Sequence, residues 1–123
     1  MRRTGVLVLI FAALAAMPVA AIAHRRATKP ERTAILAAVV RQHQLSQAQA
    51  TCQVVRISTV NQRYAELTWP RKLSNACKRV AANGVIIEHR TTRGWRFVAV
   101  GTRFTCPIKG VPSAVAGDLG VCS

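Results

Sequence analysis

Hydrophobic and polar positions change their period twice along this chain. Val6 to Met17 is apolar throughout. From Lys29 the apolar residues recur at helical spacing: Ile35, Ala38, Val39 and Gln42 form one stripe, and Leu36, Val40 and His43 extend it. Thr28-Lys29-Pro30-Glu31 precedes them as a capping box, with proline in the first turn, where its missing N–H has no helical partner. A helix over residues 29–43 is predicted. His43, at its end, suits the negative pole of the helix dipole. Residues 44–51 read as a polar connector.

After Gln53 the period becomes two. Val55, Ile57 and Thr59 alternate with Val54, Arg56 and Ser58, in β-branched types that suit a strand. Strands are expected over residues 54–60, 64–69, 85–90 and 95–101. Thr91–Gly94 is the turn of the last hairpin, with Gly94 able to take positive φ. Residues 70–84 form a basic loop with room for one helical turn. The tail after Cys106-Pro107 has room for one more, over residues 113–119. The sum is an α+β domain: an N-terminal helix packed on a four-stranded antiparallel meander, a layout like that of cystatin-like or NTF2-like sheets.

In the last hairpin, a two- or four-residue loop pairs Arg90 with Trp95, Glu88 with Phe97 and Ile86 with Ala99. Val85, Ile87, Val98 and Val100 then share the face expected to meet the helix. Trp95 and Phe97 lie on the other face, either among Arg90 and Glu88 as a stacking platform for anionic polymers or buried beneath the C-terminal tail. A three-residue loop would exchange the faces.

The apolar start changes the picture of where the working chain begins. Arg2-Arg3, the apolar run, Pro18 and the small residues Ala21-Ile22-Ala23 have the order of a secretory signal. Residues 1–23 are therefore expected to be a signal peptide cleaved after Ala23, or two residues earlier. An uncleaved anchor is the alternative, against which the run is short of the roughly 20 residues a span needs. Residues 24–27 would be a frayed basic leader to a single small secreted domain, residues 24–123.

All four cysteines lie in that domain, and an even number in a short exported chain reads as disulfides. With residues 54–60 and 64–69 paired as a hairpin, Cys52 lies beside Cys77, and Cys106 and Cys122 bracket the tail. No C-x-x-C spacing or neighbouring histidine points to zinc, so no metal is expected. The blocks VRISTVNQRYAELTW, GWRFVAVGT followed by CPIKGVP, and DLGVC resemble small secreted four-cysteine proteins of actinobacteria. That resemblance covers residues 52–122. It implies export and disulfides, and it carries over no activity and no catalytic residue.

Charge adds the sign of a partner. The formal net charge is +14, with only four acids in the whole chain. Such a field attracts wall polymers, anionic lipid heads, extracellular nucleic acid or acidic proteins. The plainer reading is a solvated basic surface in an arginine-rich composition. Arg71-Lys72 and Lys78-Arg79, tethered by Cys77, are candidate contacts beside Arg90, Trp95 and Phe97.

Enzymatic motifs are missing: there is no H-E-x-x-H, no G-x-S-x-G and no phosphate-binding glycine loop, and no cofactor is expected. Glu66 and Glu88 could meet as paired carboxylates if both faced outward on neighbouring strands. A small secreted ribonuclease would draft Glu66 or Glu88 as base, His43 or His89 as acid, and Arg90. A protease-inhibitor-like module is a further alternative from the small disulfide-bonded layout. The preferred expectation is a secreted, non-enzymatic binding domain for anionic polymers.

Overall fold

The computed structural model describes residues 24–123. The expected signal peptide, residues 1–23, lies outside the described residues. Strand β1 (His24–Arg26) is followed by helix α1 (Lys29–Arg41), a short helix α2 (Gln47–Thr51), and strands β2 (Val54–Ser58) and β3 (Tyr64–Thr68). One turn of helix, α3 (Asn75–Lys78), precedes β4 (Val85–Thr91), β5 (Gly94–Gly101) and a last helix, α4 (Ser113–Asp118). The sheet has five strands in the order β1-β2-β3-β4-β5, each antiparallel to its neighbours.

The sheet thus has one strand more than the four expected, and the helix follows a strand instead of opening the domain. Residues 24–26 pair with β2, His24 opposite Ser58 and Arg26 opposite Arg56. Three residues are too few to show an alternation, so the pattern HRR carries no strand signal. Pairing there satisfies the outer edge of β2, which would otherwise present open backbone groups.

Helix α1 begins as the pattern predicts. The Thr28 side chain accepts from the Glu31 amide, and Glu31 accepts from the Thr28 amide at 2.9 Å. It stops two residues before the predicted end. His43 takes φ 57°, its amide bonds to Val40 O, and the Gln44 amide bonds to Val39 O. This closure spends the last carbonyls of the helix through a left-handed residue. His43 therefore ends the helix by its backbone. Gln42 then pins the helix end to the open edge of β5. Its side chain donates to Trp95 O at 2.8 Å and accepts from the Phe97 amide at 2.9 Å.

Both faces of the sheet are covered. Ile35, Ala38 and Val39 of α1 pack on Val55, Ile57, Ala65, Leu67, Ile86 and Trp95. On the opposite face Tyr64 and Ile87, with Val98 and Ala99, meet Ile108, Val111, Val115 and Leu119 of the tail. The helix therefore lies on the Trp95 face. The face of Ile87 and Val98, expected to meet the helix, packs under the tail instead, and Val100 is exposed.

A bulge accounts for where Ala99 and Val100 lie. Thr91 pairs with Gly94, leaving the two-residue loop Thr92-Arg93, and Arg90 opposes Trp95 and Glu88 opposes Phe97. The register then slips between Ile87 and Glu88, so Ile87 meets Ala99 and Ile86 meets Val100. Val98 is the extra residue, and beyond it the inside and outside positions of β5 are exchanged.

The tail is held at three places. Cys106 is bonded to Cys122, and Cys52 to Cys77. The Tyr64 hydroxyl donates to Gly110 O at 3.2 Å. Asp118 accepts from the Ser58 hydroxyl at 2.5 Å and from the Thr59 amide at 3.0 Å, and His24 Nδ1 lies 2.9 Å from Asp118 O. Asp118 thereby ties the tail to the β2–β3 turn through its carboxylate and to β1 through its backbone carbonyl.

Candidate anion-binding surface

The four acids all turn inward or are spent on partners, and none of them is exposed. Glu31 is held by Arg25 through two bonds of 2.7 and 3.0 Å. That guanidinium, together with the Thr28 cap, depresses the Glu31 carboxyl to about 2 against the opposing effect of desolvation. Glu66 is buried on the tail side, with Arg56 Nη1 at 4.0 Å. Burial pushes its carboxyl up, against the opposing pull of His24 and Arg56. Asp118 is the clamp already described.

Glu88 is the exception among them. It is 0% exposed, on the helix side of the sheet, opposite Ala65 on one neighbouring strand and Phe97 on the other. Neither of its carboxyl oxygens has a hydrogen-bond partner. Burial raises the group to about 7, opposed by the charge of Arg96. An acid without bonding partners in an apolar layer keeps its proton far above the usual carboxylate range.

The cations are arranged in the opposite way. Arg71, Lys72, Lys78 and Arg79 are exposed in the β3–β4 connection, at the end of the sheet where β3 finishes. The Cys52–Cys77 bond ties this connection to the end of α2. A depression beside it, of about 410 Å³, is lined by Thr68, Trp69, Asn83, Gly84 and Thr102. Arg90 is exposed at the other end of the sheet, with Arg63, Arg93 and Arg96. The expected contacts therefore divide into two basic ends separated by the length of the strands.

The aromatic platform does not form as a pair. Trp95 is buried beneath α1, 7% exposed, and its ring is withheld from a polymer. It is covered by the helix instead of the tail. Phe97 keeps 37% exposure at the β5 edge. Among the ribonuclease candidates, Glu66 and Glu88 face opposite sides of the sheet, because Ala65 opposes Glu88 and Glu66 opposes Ile87. They form no carboxylate pair. His89 stacks on Tyr64 with ring centroids 4.3 Å apart, on the tail side, and His43 lies at the helix end. Arg90 and Glu88 share the helix side, but the Glu88 carboxyl is enclosed while Arg90 is open to solvent.

Arg63 is the site residue that strand patterns miss. It stands in the β2–β3 turn, where alternation has stopped, yet the Arg90 amide donates to Arg63 O at 2.6 Å. The signal available is position alone: in a meander, the start of β3 and the end of β4 fall together. No protein-family model matches this chain, and neither a curated protein nor a solved structure is similar to it.

Proposed function

We propose that this chain is a secreted, basic, non-enzymatic domain that associates with anionic polymers of the cell envelope or extracellular space. The observation that carries this reading is the segregation of charge: the acids are buried or paired, and among the described residues the exposed charged side chains are all positive. A surface whose exposed charged side chains share one sign attracts partners of opposite charge, which gain association rate from it. Two disulfides suit an oxidising compartment. Among the described residues no helix is long and apolar enough to cross a membrane.

Retention of residues 24–123 on immobilised heparin or polyphosphate tests the reading. Strong retention at low ionic strength is expected, with elution as salt screens the contacts over a Debye length that is about 10 Å at 0.1 M. Neutralising Arg71, Lys72, Lys78 and Arg79 together to glutamine moves elution to lower salt and leaves the melting temperature unchanged, because all four side chains are exposed. Flow-through of the unaltered protein at low salt overturns the reading.

A further inference from the structure

At the hairpin end of the sheet, Arg63, Arg90, Thr91 and Thr92 line a depression of about 330 Å³. The Arg90 amide bonds to Arg63 O at 2.6 Å, which makes the two arginines neighbours where β3 begins and β4 ends. Both side chains are free: among the described residues neither guanidinium makes a hydrogen bond or an ion pair. Arg93, at the tip of the same hairpin, is likewise exposed.

Like charges placed opposite each other on adjacent strands are destabilising unless something neutralises them. No acid of this chain does so. Glu31 is occupied by Arg25, Glu88 is enclosed beneath the helix, and Glu66 and Asp118 lie on the tail side. The hydroxyls differ in their availability. Thr91 Oγ1 donates to Gly94 O and accepts from the Arg93 amide, which stiffens the turn. The Thr92 hydroxyl has no partner among the described residues and is exposed at the rim.

We infer that this depression is a binding site for a tetrahedral oxyanion, a phosphoryl group carried on a polymer or at its end. Two guanidinium forks lining one depression match the oxygens of such a group, and paired N–H donors on one anion are the strong form of this contact. The hydroxyl of Thr92 supplies a further donor, and the backbone bond keeps the two arginine stems side by side. The inference deepens the polymer reading and rests on it for its biological setting. The pocket itself is separable, because the four basic residues of the β3–β4 connection lie at the other end of the sheet.

The experiment is a titration of the oxidised domain, residues 24–123, at constant ionic strength, followed by amide chemical shifts. Inorganic phosphate is expected to shift the amides of Arg90, Thr91 and Thr92 in a saturable way, while chloride leaves them unmoved. R63Q/R90Q weakens phosphate binding about tenfold or more, with the remaining amide spectrum unchanged. Phenyl phosphate and dimethyl phosphate then separate a terminal monoester from an internal diester, by which of them competes. Shifts that fail to saturate, that chloride reproduces, or that survive in R63Q/R90Q overturn the pocket. If heparin and polyphosphate retention persists in that case, the general polymer reading stands without it. If phosphate saturates the site but the domain flows through both resins, the pocket stands and the polymer reading falls.

Discussion

Reducing both disulfides is expected to bring the domain to the edge of unfolding at physiological temperature. The Cys52–Cys77 bond closes a separation of 25 residues and Cys106–Cys122 one of 16. By restriction of the unfolded chain, each is worth about 3 kcal/mol. Their sum is comparable to the whole stability of a small domain, about 5–15 kcal/mol. The second bond has a local consequence as well. The segment it brackets supplies Ile108, Val111, Val115, Ala116 and Leu119, the buried tail residues that pack with Tyr64 and Ile87. Opening it in C106A/C122A should therefore accelerate amide exchange in β4 and β5 before it affects α1. Thermal melts of oxidised, reduced and singly bridged forms check this. A reduced protein that melts at the same temperature as the oxidised one would refute it.

Glu88→Leu is expected to stabilise the domain at pH 8 by about 3 kcal/mol. The sign follows from where the proton sits. In the folded chain burial keeps the Glu88 carboxyl protonated up to about 7. In the unfolded chain it titrates near 4.3, roughly the ordinary glutamate value. Between those two pH values the folded state binds the extra proton, so stability falls as pH rises, and the loss is complete above about 7. Each pH unit of difference contributes about 1.4 kcal/mol, which sets the size of the effect. Leucine removes the ionisation and the two unbonded oxygens, and it fits the apolar layer of Ala65, Ile86 and α1. At pH 8 the melting temperature should rise by roughly 10 °C or more, and at pH 4 the difference should shrink to the packing change alone. Glu88→Gln separates the two causes, because it removes the pH dependence and keeps an unbonded polar group. A variant that tracks the wild type at both pH values would show that Glu88 reaches solvent or a partner in solution.

Legibility in the sequence followed the strength of local signals. The capping box at Thr28 and Glu31 announces itself in residue type, and α1 follows from it; Gly94 marks the hairpin turn, but the loop length, and with it the register, stayed open until the strands paired Thr91 with Gly94. The α2 segment was legible too: Ser46 and Gln49 form the same box, read above only as a polar connector. Two features had no local signal. The three residues of β1 become a strand only because β2 has an open edge beside them. The bulge at Val98 is a property of pairing between β4 and β5, and one extra residue there decides which face Val100 and Ala99 occupy. Site residues divide in the same way. Arg90 stands out at the end of an apolar run, whereas Arg63 gains its meaning only when the meander brings two strand ends together. Glu88 was visible as a lone acid in VIIEHR, but its enclosure depends on a helix far away in the chain.

Withdrawal of the acids from the surface leaves the exterior to the cations. A carbon-detected titration of the carboxyl groups in the oxidised domain tests this most directly. Glu31 is expected to titrate near 2, Glu66 above the usual carboxylate range and Glu88 near 7. Carboxyls that titrate together at ordinary values would mean that the acids are open to water, and the one-signed surface would not exist.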